Sequence, residues 1–339
     1  MSARRLEGKS VAVTGASGFV GPWVVAELVR HGARVIACVR ESARFRWETD
    51  GVVHRTTGDL QDGAAWVGAF EGCMAVLHLA GRAHFTREDP TYALAQHRDV
   101  NVTGTRNVAT EAMRAGVQRI VYLSSIGVEG SRSKPGQPLR ASSNPSPSTP
   151  YARSKLEAEE SLRELEARGK IEVTCIRPPM VYGPGAPGNL ASLSRALRRT
   201  VPLPLGAIRN KRAFVAAPTL AECIVECASS PAAAGRTLNV TDGEDISTTT
   251  FIRRLRAATG GQAPLVPVSP ILLRAALTAM GRRQLAASLL DDLEVDVSET
   301  TGAIGWKPSV AMGAAMRRIY ALPAIHHCIL AEDDHEAAP

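Results

Sequence analysis

Short apolar runs alternate along the chain with stretches of helical period. Lys9 to Thr14, Arg34 to Val39, Val52 to Thr57, Ala75 to Leu79 and Arg119 to Leu123 each read as a brief buried strand. Pro22 to His31, Tyr92 to Ala115 and Tyr151 to Arg168 read as helices, with Gly32 and Gly116 closing the first two. Glu172 to Ile176 is a sixth strand, and the chain is expected back at the sheet near Thr237 to Val240. Strands alternating with helices build βαβ units, hence a parallel sheet covered on both faces. The expected fold class is α/β, a doubly wound parallel sheet. Ser131 to Pro150 carries five prolines and many serines and reads as a mobile loop. After Pro178 prolines and glycines recur and the alternation is lost, which predicts a smaller C-terminal α/β region.

Of the 339 residues 45% are apolar and 22% charged. This is globular composition and excludes whole-chain disorder, collagen and coiled coil. No apolar run reaches the roughly 18–20 residues of a membrane span. The nearest, Ile271 to Met280, is broken by Arg274. The opening MSARRLEGKS lacks a long apolar core, so no secretory signal is expected. Six cysteines follow no disulfide or metal rhythm and read as reduced thiols of a cytoplasmic protein. His326, His327 and His335 in the acidic tail read as solvated, and no metal is expected. The formal charge is +7, and all but six of the 40 basic residues are arginine. Such a surplus suits anionic small molecules. The charges are dispersed and aromatic residues are only 4%, so nucleic acid is set aside as a partner.

Between the first strand and the first helix lies GASGFVG, Gly15 to Gly21. Gly15 permits a tight turn, Gly18 brings backbone close to a pyrophosphate, and Gly21 lets the helix pack on the sheet. Ser17, Phe19 and Val20 complete the loop. On this reading residues 1–177 form a dinucleotide-binding Rossmann domain, with a return of the chain near 212–242. Residues 178–211 and 243–322 are left for the substrate, and 323–339 for a flexible tail. An NAD enzyme places a carboxylate at the end of the second strand, for the ribose 2′-hydroxyl. This chain has Cys38, Val39 and Arg40 there, with Arg44 and Arg46 beyond. A guanidinium suits a 2′-phosphate, which makes NADP(H) the expected cofactor. Glu41 is the rival group that leaves NAD(H) open.

Tyr151 and Lys155 are four apart at a helix start and share one face. A free phenol has a pKa of ~10, and a neighbouring ammonium is expected to lower it. Such a tyrosine can protonate a carbonyl oxygen or deprotonate an alcohol. Ser124 and Ser125 follow the fifth strand, at the carboxyl ends where doubly wound sheets place ligands.

With these residues in place the chain resembles an extended short-chain dehydrogenase/reductase of the epimerase/dehydratase type, which handles nucleotide-sugars. The resemblance rests on TGASGFVG (Thr14–Gly21), GDL (Gly58–Leu60), HLAG (His78–Gly81), NVTGT (Asn101–Thr105), VYLSS (Val121–Ser125), YARSK (Tyr151–Lys155) and RPPMVYGPG (Arg177–Gly185). It implies that Ser125, Tyr151 and Lys155 are catalytic, and that Lys155 also holds the nicotinamide ribose. It implies that Asp59 and Leu60 contact adenine, that Leu79, Ala80 and Gly81 line the cofactor, and that Pro178 to Val181 lie beside the nicotinamide. Asn189 and Arg212 match positions that contact the sugar-nucleotide diphosphate, and the similarity of His78–Phe85 to a nucleotide-sugar subgroup implies that Arg82 and His84 face the sugar. HLAGRAHF (His78–Phe85) and LPLGAIRNKRAFV (Leu203–Val215) are similar to a bacterial surface-polysaccharide subgroup that includes reductases of UDP-4-keto-deoxysugars. The implied reaction is NADPH-dependent reduction of a C4 ketone. The alternatives are a UDP-sugar C4 epimerase with retained NAD, and a non-catalytic NADP-sensing protein. A homodimer through the helices at 92–115 and 151–168 is also implied. The chain departs from the family at Met180, where many members have asparagine, at Ala286 to Leu293, which lacks an arginine, and at Ala216 to Thr219.

Overall fold

A computed structural model describes residues 6–40, 49–83, 92–169 and 171–321. Seven strands form one sheet: β1 (Ser10–Thr14), β2 (Arg34–Arg40), β3 (Val52–Thr57), β4 (Ala75–His78), β5 (Arg119–Leu123), β6 (Glu172–Arg177) and β9 (Thr237–Asn239). Their order is β3-β2-β1-β4-β5-β6-β9, and every pairing is parallel. The doubly wound parallel sheet expected from the alternation is present. Successive side chains leave a strand on opposite faces. Val11 and Val13 of β1 accordingly enter one core and Ala12 the other. The first core is completed by α1 (Gly21–Arg30) and α6 (Ala217–Ser229), through Val24, Leu28, Leu220 and Ile224. The second is completed by α3 (Gly104–Arg114) and α4 (Pro150–Glu166), through Val108, Ala112, Ala158 and Leu162.

The helix expected at 92–115 is not continuous. α2 (Ala93–Arg98) runs into a π-helical turn, Asp99–Thr103, before α3 begins. The extra residue in that turn re-aims Asn101, whose partners are described below.

Two further strands, β7 (Met180–Tyr182) and β8 (Phe214–Ala216), pair in a small parallel sheet. α5 (Asn189–Arg198) lies between them. After β9 the described chain is helical: α7 (Thr248–Thr259), α8 (Pro270–Ala279), α9 (Arg283–Leu290), α10 (Ser298–Ile304) and α11 (Met312–Ala321). Tyr182 donates to Asp242 Oδ2 at 2.6 Å, and Ala216 N donates to Asp242 Oδ1 at 3.0 Å. One carboxylate so fastens both small strands to the chain leaving β9.

The proline-rich stretch from Ser131 is tied down rather than loose. Ser133 N donates to Asp292 O, Leu139 N to Glu294 O, and Asp296 N to Leu139 O, at 2.8–2.9 Å. Residues 133–139 thus run as a strap against 292–296, satisfying backbone groups that a free loop would leave to water.

Arg177, at the end of β6, is buried with two carboxylates. It donates to Glu159 at 3.0 and 2.6 Å and to Glu129 at 3.2 Å. Asn239 of β9 donates to Glu129 at 3.1 Å. Burial pushes the Glu129 carboxyl up, against the pull of Arg177 and Asn239. Arg177→Met strands both carboxylates and should cost about 3–5 kcal/mol of stability. Urea unfolding measures it, and an unchanged midpoint would show that the cluster holds nothing together.

Candidate active site at the carboxyl ends of the strands

The strand order reverses between β1 and β4, and crevices in such sheets open beyond the strand ends at that point. A cleft of about 1100 Å³ lies there. Gly15 turns the chain out of β1 with φ +69°, and a Cβ on it would stand 2.8 Å from Ala80 N. A Cβ on Gly21 would stand 2.2 Å from Ala16 O, so only glycine lets α1 start this close to the loop. At Gly18 the nearest atom to such a Cβ is Gly15 O at 3.2 Å, and the rest is open. No side chain caps α1, so its first N–H groups are left for an anion.

The cleft gathers the residues marked in the sequence. Its walls include Gly15, Ser17, Gly18, Phe19, Val20 and Gly21 from the loop, then Arg40, Asp59 and Leu60 behind β2 and β3. Leu79, Ala80, Gly81 and Arg82 follow β4, and Ser125, Tyr151 and Lys155 stand across from them. Pro178 and Val181 lead to Asn189 and Arg212 at the far end. His84, Glu41, Arg44 and Arg46 lie outside the described residues. Arg40 approaches Asp59 at 3.7 Å, with both side chains more than 60% exposed. Such a pair is weak and opens readily to a stronger anion. Arg212 is buried and donates to Asp291 O at 2.7 Å. Burial lowers its pKa to about 10, which still leaves it charged at neutral pH.

The catalytic candidates sit on two elements. Ser125 follows β5 and accepts from Gly127 N at 3.1 Å. Thr149 caps α4 by accepting from Ala152 N at 3.1 Å, and Pro150 opens the helix. Tyr151 is therefore in the first turn and Lys155 one turn further. Lys155 Nζ donates to Leu123 O at 2.8 Å and to the Tyr122 hydroxyl at 3.1 Å, and lies 4.5 Å from the Tyr122 ring centre. Burial lowers the Lys155 pKa to about 8, against the pull of Glu159.

The expectation that an ammonium makes Tyr151 unusually acidic is corrected here. Protein surrounds most of the phenol and pushes it up to about 12, and only the hydrogen bond with Ser125 works the other way. The physical reason is burial of the phenol, while Lys155 directs two of its three N–H donors to Tyr122 and Leu123 O, one strand end away. Tyr151 is half-buried and keeps an edge on the cleft.

Two polar residues of the site, His78 and Asn101, stand in motifs of the sequence but were given no role of their own. His78 is fully buried, 2.7 Å from Thr14 Oγ1 and 3.0 Å from Thr105 Oγ1. Burial holds its pKa down at about 3, so the ring is neutral. It stacks on Tyr122 at 5.5 Å between ring centres. A polar chain thus runs beneath the cleft from Thr14 to Lys155. Asn101, aimed by the π turn, accepts from Arg82 N at 2.7 Å and donates to Ser154 Oγ at 2.9 Å, clamping the segment after β4 to α4. Ser124 Oγ is buried with no hydrogen-bond partner among the described residues, and the residue lines the cleft. The signal for the first group was cross-strand: His78 and Tyr122 are register partners on β4 and β5.

Residues 11–241 match the family described as "NAD dependent epimerase/dehydratase family". The chain belongs to that family. It is 34% identical over 302 residues to the UDP-glucose 4-epimerase of Vibrio cholerae, covering 88% of this chain and 91% of the relative. It is 27% identical over 259 residues to the N-acetyl-alpha-D-glucosaminyl-diphospho-ditrans,octacis-undecaprenol 4-epimerase of Escherichia coli O157:H7, covering 75% of this chain and 74% of the relative. Among solved structures, MoeE5 in complex with UDP-glucose and NAD superposes with a TM-score of 0.72 at 24% identity, over 92% of this chain and 97% of that one. The UDP-N-acetylglucosamine 4-epimerase from Bacillus cereus superposes with a TM-score of 0.74 at 19% identity, over 94% and 97%. The family's nucleotide-sugar and nicotinamide chemistry is thereby attached to this fold, and the open face of Gly18 with the uncapped α1 start fits a dinucleotide.

The ammonium should titrate where burial puts it. With six lysines in the chain, a carbon-13 lysine NMR titration should resolve one that loses its proton near pH 8. Tyr122→Phe keeps the ring and removes one acceptor from the charged form. Losing a favourable partner of the ammonium moves that midpoint to lower pH. A midpoint unmoved by the substitution would mean that the hydroxyl does not hold Lys155.

Proposed function

We propose that this protein is an NAD(P)-dependent oxidoreductase that acts at C4 of a nucleotide-linked sugar. One observation carries the reading: the glycine loop, the Ser125–Tyr151–Lys155 group and Arg212 share a continuous cleft. The finer proposal is reduction of the C4 ketone of a UDP-deoxy-4-hexulose with NADPH. A bound nicotinamide supplies the hydride. Tyr151, a neutral phenol at physiological pH, donates a proton to the C4 oxygen as the carbinol forms. Ser125 donates a hydrogen bond to the same oxygen and keeps the ketone in line. Lys155 holds the nicotinamide ribose on this reading, and the hydrogen bond with Ser125 eases proton departure from Tyr151. Asn189 and Arg212 grip the diphosphate of the substrate. Residues 178–211 and 243–322 form the substrate region on this reading, and 1–177 with 212–242 the dinucleotide domain.

Arg40 favours NADPH over NADH. It lies on the cleft wall, and β2 carries no acidic residue. A second reading, C4 epimerase with retained NAD, is favoured by the Vibrio cholerae relative. The five cysteines among the described residues are free and buried, which supports a cytoplasmic protein. We also propose a homodimer through α2, α3 and α4.

The experiment is an absorbance assay with NADPH and NADH against UDP-4-keto-sugars. Net consumption of NADPH is expected; tightly held NAD with no net consumption would select the epimerase. Tyr151→Phe should lower kcat by 10²–10⁴-fold, the range of a general acid, with little change in cofactor affinity. Arg40→Ala should raise KM for NADPH about tenfold and leave NADH unchanged, since one charge-assisted contact is lost. Equal effects on both cofactors would reject the 2′-phosphate role.

A further inference from the structure

The positive charge, expected to be dispersed, is in fact concentrated in two segments. Residues 186–221 and 246–290 contain twelve arginines and lysines and not one aspartate or glutamate. Against a total of +7, the rest of the chain therefore nets −5. Of the twelve, only Arg212 lines the cleft, so the surplus is not there for the cofactor or substrate.

The same segments carry a large share of the exposed apolar surface. On α8, Leu273 and Leu277 point inward and are buried. Ile271 is 80% exposed, Leu272 65%, and Met280, just past the helix, 62%. At helical spacing Ile271, Ala275 and Ala279 make one outward stripe and Leu272, Ala276 and Met280 the next. Val266 leads into α8 and is also exposed, and Arg282 and Arg283 follow directly after Met280. Neither arginine makes an ion pair among the described residues. Residues 203–206 bond to 264–266, which brings the arginine-rich end of α5 alongside this segment.

We propose that the face built by the end of α5, α8 and the turn into α9 docks on an anionic lipid surface. Exposed aliphatic side chains rimmed by guanidiniums, with no carboxylate between them in sequence, match the demands of an interfacial helix. A second copy of the chain fits less well, because self-pairing would bring the arginine rims together. Nucleic acid fits less well too: the only aromatics of the two segments, Phe214 and Phe251, are buried, which leaves no stacking platform. Docking leaves the cleft residues untouched, so this inference does not rest on the sugar chemistry proposed above.

The test is co-sedimentation of the full chain with vesicles of phosphatidylglycerol and phosphatidylcholine in equal parts, and of phosphatidylcholine alone. Binding to the anionic vesicles is expected, falling about tenfold from 0.02 to 0.3 M NaCl as the charges are screened. Ile271→Ser with Leu272→Ser should lower it about tenfold, and Arg282→Ser with Arg283→Ser should do the same independently. Both pairs are surface positions, so thermal melting should stay within a few degrees and certify the fold. No sedimentation with anionic vesicles at low salt would overturn the proposal. So would salt-insensitive binding, or a self-association, seen by light scattering without vesicles, that the same substitutions abolish.

Discussion

Lys155 places an ammonium among buried groups at the end of β5, and a buried charge is tolerated only where acceptors meet it. Leu123 O and the Tyr122 hydroxyl do so here, and much of the site is arranged around that requirement. Tyr122 is itself sealed, so its position is set by the ring stack on His78 and by Thr105 beneath it. His78 in turn is held neutral between two threonine hydroxyls, one of them on β1. The strand that launches the glycine loop and the helix that carries the tyrosine–lysine pair are therefore joined through the interior, not only across the cleft.

The second constraint is the parallel sheet. Its order reverses between β1 and β4, so the loops beyond these strands diverge and leave room between them. α4 crosses that opening with Tyr151 in its first turn. The π turn before α3 supplies Asn101, which ties Arg82 backbone to α4 and keeps the near wall in place. The far wall depends on chain from much later: Arg212 donates to Asp291 O, and the strap at 133–139 is bonded to 292–296. The pieces that would meet a sugar-nucleotide thus come from segments separated by well over a hundred residues.

Electrostatics divides the molecule by task. Buried charges such as Arg177, Glu159 and Glu129 are paired and join β6, α4 and β9. The surplus of arginine and lysine lies outside the cleft, around α5 and on the helices after β9, where apolar side chains are also exposed and only some of the charges are paired. Among the described residues the cleft holds few cations, and each has a defined neighbour.

The βαβ alternation, the glycine spacing and the i, i+4 pair are local patterns. Local patterns determine strands, helices and the loop between them, because each depends only on side-chain period and backbone freedom within a few residues. That is why the strand positions from β1 to β6 and the residues around the cleft were legible in order along the chain. What Lys155 touches was not legible, nor was the protonation of Tyr151. Both depend on strand register and on how much protein surrounds a group, and for the Tyr151 phenol burial outweighs the hydrogen bond with Ser125. The fate of the proline-rich stretch was equally hidden. Its composition says loop, and only partners more than 150 residues away turn it into a fixed strap.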